Sequence, residues 1–303
     1  MKDQPLVSII INNYNYRHFL SAAIDSALNQ TYPHNEVIVV DDGSTDNSQA
    51  VIASYSNRVL PLLKANGGQA SAFNAGFAAS QGDIICFLDS DDVFLPEKVA
   101  EVVNTLKNYR ENIWCFHPLK VVDADTKTLV KNNYQGSVYE CDLRLDIKRG
   151  RLRGKLPFSI PATSGLCFTR SLLQQILPMP EAEAISLNDS YLQFTAFALS
   201  CGFALAKELS LQRVHGNNAY SFRADKQRLV ARINVLTAYS IRANFPSLYR
   251  FTNKLFAEGM GIYWRTGGIE ARSQELVKNY LSSVVPLEKL KISARVFYHY
   301  LKI

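Results

Sequence analysis

The segment Asp83-Ile84-Ile85-Cys86-Phe87-Leu88-Asp89-Ser90-Asp91-Asp92 decides the fold. Ile84 to Leu88 is an unbroken apolar run between charged residues. That pattern is a strand buried on both faces, as in a parallel sheet. The run stops at Asp89, and Asp91 and Asp92 follow at once. Two ionised carboxylates about 6 Å apart repel by roughly 3 kcal/mol at an effective dielectric of about 20. Three on one short loop ask for a cation. Oxygen ligands at the carboxyl end of such a strand suit Mg2+ or Mn2+ held together with phosphates, and open α/β sheets bind ligands at these strand ends. The simpler alternative is a turn in which Asp92 caps a helix beginning near Pro96, and the segment alone leaves both open.

Upstream, Val7 to Ile11, Val37 to Val40 and Val59 to Leu63 read as three earlier strands. Leu20, Ala23, Ile24, Ala27 and Leu28 recur at helical spacing between the first two. Asp42 or Ser44 is placed to cap the helix that follows the second, and Gly67-Gly68 leads into a small-residue helix over 71–80. Strands alternating with helices through the first 110 residues predict α/β architecture with a parallel sheet. After Ile113 the alternation breaks down. Strand-like runs cover 113–116, 119–122 and 203–213, and helical runs cover 171–177 and 188–200. From about Arg223 the chain reads as helix, broken near Pro246, Gly267-Gly268 and Pro286. A boundary is expected near 222.

A chain of 303 residues with 47% hydrophobic and 20% charged residues can bury a full core. Its five cysteines are far apart and lack zinc or redox spacing, so they read as buried, reduced thiols of a cytoplasmic protein. No signal-peptide pattern and no apolar run of about 18 residues is present in the sequence. The charge is uneven: residues 223–303 hold 14 Lys/Arg against 5 Asp/Glu, whereas residues 1–222 hold 19 against 22. With aromatics interleaved (Tyr249, Phe251, Phe256, Tyr263, Trp264, Tyr298, Tyr300), the basic region suits peripheral contact with an anionic membrane face. Docking on the rest of the chain or homo-oligomer packing explains it equally well. Nucleic acid is not expected as a partner, because no recognition motif accompanies the charge.

The turn after the first strand, Asn12-Asn13-Tyr14-Asn15-Tyr16, has no glycine, which argues against a dinucleotide fingerprint, and no P-loop occurs. A nucleotidyltransferase would open with a Gly-rich basic loop there, and that too is missing. The ordered series V-S-I-I-I-N-N-Y-N-Y, V-I-V-V-D-D-G-S-T-D, N-G-G-Q-A-S-A-F-N-A-G-F and G-D-I-I-C-F-L-D-S-D-D resembles family 2 glycosyltransferases of the GT-A fold. Thr163 to Arg170, Asn188 to Leu192 and Arg213 to Asn218 look like later landmarks of that family, so the resemblance covers about 1–222.

The resemblance implies a GT-A fold: a Rossmann-like, mostly parallel central sheet with flanking helices, here with a helical C-terminal extension. Residues 1–222 would form the catalytic domain, its nucleotide-binding half running to about 110, and 223–303 the extension. The implied activity is inverting transfer from a nucleotide-diphosphate sugar to a hydroxyl of a glycan or lipid-linked acceptor, in surface polysaccharide or glycoconjugate synthesis. Asn12 and Tyr14 would lie against the base. Asp42 would accept the uracil ring N–H, which favours a UDP-sugar. Asn74 would sit near the nucleotide; Phe73 stands where many relatives have Arg. Asp89, with Ser90, would take the ribose hydroxyls, and Asp91 would ligate Mn2+ or Mg2+, with His215 reaching the metal or the diphosphate. Asp189 would be the catalytic base; Asn188 replaces the acidic neighbour common in relatives. The basic run Lys148 to Lys155 could be a lid for a phosphate-bearing lipid acceptor or a solvated loop. A degenerate partner protein that only binds sugar nucleotides is the non-enzymatic alternative.

Overall fold

The computed structural model describes residues 4–107, 112–132, 134, 136–151, 156–181, 187–216, 218 and 225–302. The expected boundary near 222, Asn217, and residues 152–155 of the basic run lie outside them. The chain divides into two units. The first holds 1–142, 153–181 and 199–215; the second holds 143–152, 182–198 and 216–303.

The first unit is built on a sheet of eight strands among the described residues. They are β1 (Val7–Asn13), β2 (Asn35–Asp42), β3 (Leu60–Lys64), β4 (Ile84–Asp89), β6 (Trp114–Phe116), β8 (Val138–Cys141), β9 (Leu166–Thr169) and β10 (Gly202–Leu205). Their order is β3-β2-β1-β4-β9-β6-β10-β8. The first four are parallel, as the alternation predicts, with Ile9 opposite Val37 and Cys86. β9 runs antiparallel between β4 and β6, and β8 antiparallel beside β10. The expected strand 203–213 is two strands. The backbone turns at Lys207, whose N–H bonds the Leu205 carbonyl. The chain then enters a small sheet, β5-β11-β7, made of β5 (Val93–Phe94), β7 (Lys120–Val122) and β11 (Ser210–Arg213).

Both faces of the central strands are covered, which is why their sequences are continuously apolar rather than alternating. Val7, Ile9, Ile11, Val37, Val39, Ile84, Cys86 and Leu88 share one core with Leu20, Ala23, Ile24 and Ala27 of α1 (Arg17–Leu28), with Ile52 of α2 (Ser48–Ala53), and with Val99, Val102 and Leu106 of α4 (Lys98–Leu106). On the other face α3 (Gly68–Ala79) sets Phe73 on Phe87 of β4. α6 (Arg170–Ile176) follows β9. Cys86, Cys167 and Cys115 are register partners across β4, β9 and β6, fully buried and reduced.

The second unit holds α5 (Arg144–Lys148), nearly all of α7 (Asp189–Leu199), and α8 (Lys226–Asn244), α9 (Tyr249–Arg265), α10 (Ala271–Ser282) and α11 (Pro286–Leu301). Pro286 occupies the first turn of α11, where its missing N–H costs nothing. α9 is the middle helix. A Cβ at Gly259 would lie 2.8 Å from the Ala231 carbonyl oxygen of α8, and one at Gly261 would lie 2.5 Å from the Cβ of His299 on α11. Two residues apart, these glycines face opposite sides and let both neighbours approach closely. Among the described residues no helix is long and apolar enough to cross a membrane. Replacing Gly261 with Val should lower stability by about 2–3 kcal/mol through overpacking, read as a lower urea midpoint; an unchanged midpoint would contradict this packing.

Candidate active site

The sheet gathers polar side chains at the carboxyl ends of β1 and β4. Asn12 is the register partner of Asp89. Its Nδ2 donates to Asp89 Oδ1 at 2.8 Å. Gln69, in the first turn of α3, donates to the same oxygen at 3.4 Å and to Thr163 Oγ1 at 3.2 Å. The side-chain amide oxygens of Asn12 and Gln69 and the Ser90 Oγ are buried and have no protein partner. Three acceptor-capable oxygens beside a carboxylate form a natural seat for ligand hydroxyl or N–H groups, since leaving them bare costs about 1–3 kcal/mol each.

One oxygen from each of Asp89, Asp91 and Asp92 lies within 4.8 Å of the others. The three are not equivalent. Asp92 accepts from Ser164 Oγ at 2.6 Å and from the Arg213 N–H at 3.0 Å. It is a fastener of the loop and not the helix cap considered from sequence; α4 begins after Glu97 without a side-chain cap. Ser164 Oγ also accepts from the Asp89 N–H at 3.1 Å, and the Ser164 carbonyl accepts from the fully buried Lys98 Nζ at 2.8 Å and Ser210 Oγ at 2.9 Å. Asp91 faces His215, whose Nε2 is 3.2 Å from Asp91 Oδ2. The imidazole is stacked on Phe19 (centroids 4.4 Å apart) and meets Tyr16 edge-on at 5.6 Å. Arg213 sits over the other part of this cluster, its guanidinium 5.4 Å from the Phe19 ring centre.

Burial, and then the charge of Asp91, push the Asp89 carboxyl up to about 7, against the pull of Asn12, Thr163 and Gln69. Burial, with Asp91 and Asp89, raises Asp92 well above the ordinary carboxylate range. Burial and Arg213 lower His215, so its ring is neutral at pH 7 and keeps a lone pair. A carboxylate group whose ionisation is resisted this way, beside a neutral imidazole, fits a hard divalent cation such as Mg2+ or Mn2+.

Other expected residues are placed differently. Both Asp42 oxygens are engaged. They accept from Lys64 Nζ (2.6 Å), Gly67 N–H (3.0 Å), Gly68 N–H (2.7 Å) and Asn66 Nδ2 (3.2 Å). These four fill the usual acceptor capacity of a carboxylate, so Asp42 holds the 64–68 turn and the start of α3. It does not cap α2, which is preceded by Asn47. Asn74 exchanges hydrogen bonds with the Met179 backbone (2.7 and 2.9 Å) and donates to Glu181 (2.8 Å). Its amide is spent on holding the 179–181 segment. Tyr14 is exposed. Asp189 is the first residue of α7, in the second unit. The site thus brings together Asn12, Asp89, Ser90, Asp91 and His215. Gln69, Thr163, Ser164, Asp92, Arg213, Phe19 and Tyr16 support them. The T-S-G triplet was a visible signal for Thr163 and Ser164; the partners of Ser164 appear only once β9 is seen beside β4.

A sequence model of Glycosyl transferase family 2 matches residues 8–177, more than half of the chain. The chain belongs to glycosyl transferase family 2. An uncharacterized glycosyltransferase of Nostoc sp. is 37% identical over 217 residues, 70% of this chain and 66% of that protein. One from Rickettsia prowazekii is 38% identical over 144 residues, 46% of this chain and 45% of that protein. This family 2 chain therefore spans two thirds or less of these curated relatives. The crystal structure of S. aureus TarS 1-349 in complex with UDP-GlcNAc superposes with a TM-score of 0.62 at 18% identity, covering 97% of this chain and 89% of that one. That likeness establishes a GT-A fold for this family 2 member.

The raised Asp89 carboxyl sets a pH dependence. In the unfolded chain it ionises near about 3.9. The stability its neutral form contributes is complete below that value and is lost as pH rises to about 7. Asp89→Asn should therefore lose about 3 kcal/mol less stability than the native chain between pH 5 and pH 8, measured by urea unfolding at both. Equal losses would mean that Asp89 ionises normally.

Proposed function

We propose that this chain transfers a sugar, with inversion, from a nucleotide-diphosphate sugar to an acceptor hydroxyl, with a UDP-sugar as the favoured donor. The observation that carries this reading is the polar seat at the ends of β1 and β4. Buried, unpartnered acceptors of Asn12, Gln69 and Ser90 surround a carboxylate that resists ionisation. The UDP-GlcNAc bound to TarS, a protein of the same fold, supports the choice of donor. The Asp42-fixed turn 64–68 forms the base end of the site, Lys64 bringing a positive charge to Asp42 at 2.6 Å. A base N–H reaching Asp42 takes the place of one of its present donors.

Asp89 and Ser90 receive the ribose hydroxyls beside Asn12 and Gln69. Asp91 and His215 are the residues that would hold Mn2+ or Mg2+. When bound, the ion supplies Lewis-acid neutralisation of the leaving diphosphate. Asp189 accepts the proton of the attacking hydroxyl as that oxygen bonds to the anomeric carbon. Asn74 acts indirectly, by fixing the 179–181 segment. A glycan or lipid-linked glycan is the acceptor, and surface polysaccharide or glycoconjugate assembly is the setting. The 48% identity to the Pasteurella multocida chondroitin synthase, over 98 residues and 10% of that protein, is consistent with such a polymer.

A thermal-shift screen of nucleotide sugars with Mn2+ should give its largest stabilisation with UDP-sugars, by mass action on the folded state; no shift with any of them would remove the donor assignment. With an accepted donor, Asp189→Asn should cut transfer by about 10²–10⁴-fold while UDP affinity stays near native. Unchanged turnover would strip Asp189 of its role. Absence of both transfer and donor hydrolysis in the native chain would favour the non-enzymatic partner. Asp91→Ala should abolish the Mn2+-dependent part of UDP binding in calorimetry, whereas retention of it would place the metal elsewhere.

A further inference from the structure

α11 carries apolar residues on two opposite sides. Ile292 and Val296 are buried, and His299 lies against Gly261 of α9. The opposite side presents Leu287, Leu290, Ala294, Phe297 and Leu301, separated by three and four residues in turn. That spacing draws a straight line along a helix. Four of these are largely in water: Leu287 63%, Leu290 69%, Phe297 56% and Leu301 59% exposed. A contiguous apolar face at the surface marks an interaction site.

Its surroundings specify the partner. Helical geometry puts Lys291, Arg295 and Lys302, all exposed, in a row along one flank of the stripe. Tyr298 lies between the row and the stripe, and Tyr300 and Trp264 stand at the other flank with ring centres 6.2 Å apart. The one acid of α11, Glu288, is turned away from the stripe to Arg242 (3.2 Å) and Asn253 (2.9 Å). The exposed side of the helix is therefore apolar and positive. We propose that α11 lies in the plane of an anionic lipid surface, its leucines and Phe297 at the acyl boundary and its basic row among the headgroup phosphates. An apolar stripe, a basic flank and aromatic rings at the junction together make an interfacial helix. The excess of 14 Lys/Arg over 5 Asp/Glu in residues 223–303 draws the same part of the chain toward negative charge. A second copy is the poorer occupant, because facing two such helices sets basic rows together with no carboxylate to separate them. The inference does not depend on the reaction carried out by the first unit.

The test is sedimentation of the full chain with vesicles of phosphatidylcholine alone, or mixed in equal parts with phosphatidylglycerol. Binding should require the anionic lipid and weaken as salt rises. Reversing Lys291, Arg295 and Lys302 to Glu should lower partitioning by about a hundredfold. Leu290→Glu with Phe297→Glu should lower it roughly tenfold or more. Because Trp114 is buried, a blue shift of tryptophan emission on adding anionic vesicles to the native chain should report Trp264 entering the interface. That reading needs no variant to fold. No binding, binding indifferent to both sets of substitutions, or no emission change would overturn the proposal. So would a dimer in vesicle-free solution that Leu290→Glu dissociates, which would make the stripe a contact between copies.

Discussion

The bond between Ser164 and Asp92 is the constraint on which the acidic loop depends. Three ionised carboxylates on four residues repel one another. Ser164 and the Arg213 backbone take Asp92 out of competition and anchor it below the site. The same serine receives the Asp89 N–H and, through its carbonyl, a buried lysine and Ser210. One residue of β9's lead-in therefore ties β4, α4 and β11 together. The insertion of an antiparallel strand beside β4 makes that possible, since it turns the 163–165 segment toward the carboxyl end of β4.

With Asp92 fixed, the electrostatics sort themselves. Asp89 meets neutral donors beside unpartnered acceptors, and Asp91 faces a neutral ring that is stacked on Phe19 and met edge-on by Tyr16. Arg213 sets a positive charge near Asp91 and Asp92, whereas the side chains bonded to Asp89 are neutral. A cation or a ligand rich in hydroxyl groups would relieve the cost of ionising Asp89 in a poorly hydrated place.

The first half of the fold was legible because each central strand is a run of apolar residues that stops at a polar cluster, and each helix repeats on a 3.6-residue period. Asp89 and Asp91 were legible as acids at a strand end, whereas Asn12 and His215 stood out only through the family resemblance. The second half was not read as it folds. β9 and β8 reverse direction, and short strands of three or four residues carry too little pattern to announce which sheet they join; the split of 203–213 into β10 and β11 is the case in point. Asp42 and Asn74 show a different limit. Their residue types fit a nucleotide contact and also fit the bracing of a loop, and only in the folded chain is it visible that both brace loops.

The cysteines in register on β4, β9 and β6 give the molecule a built-in clock. Three thiols sit side by side at the centre of the sheet, sealed from water. A maleimide can reach them only when those strands part, so the pace of alkylation is the pace at which the heart of the first unit opens. Whatever grips the rim of that sheet, just three residues beyond Cys86, would slow the clock.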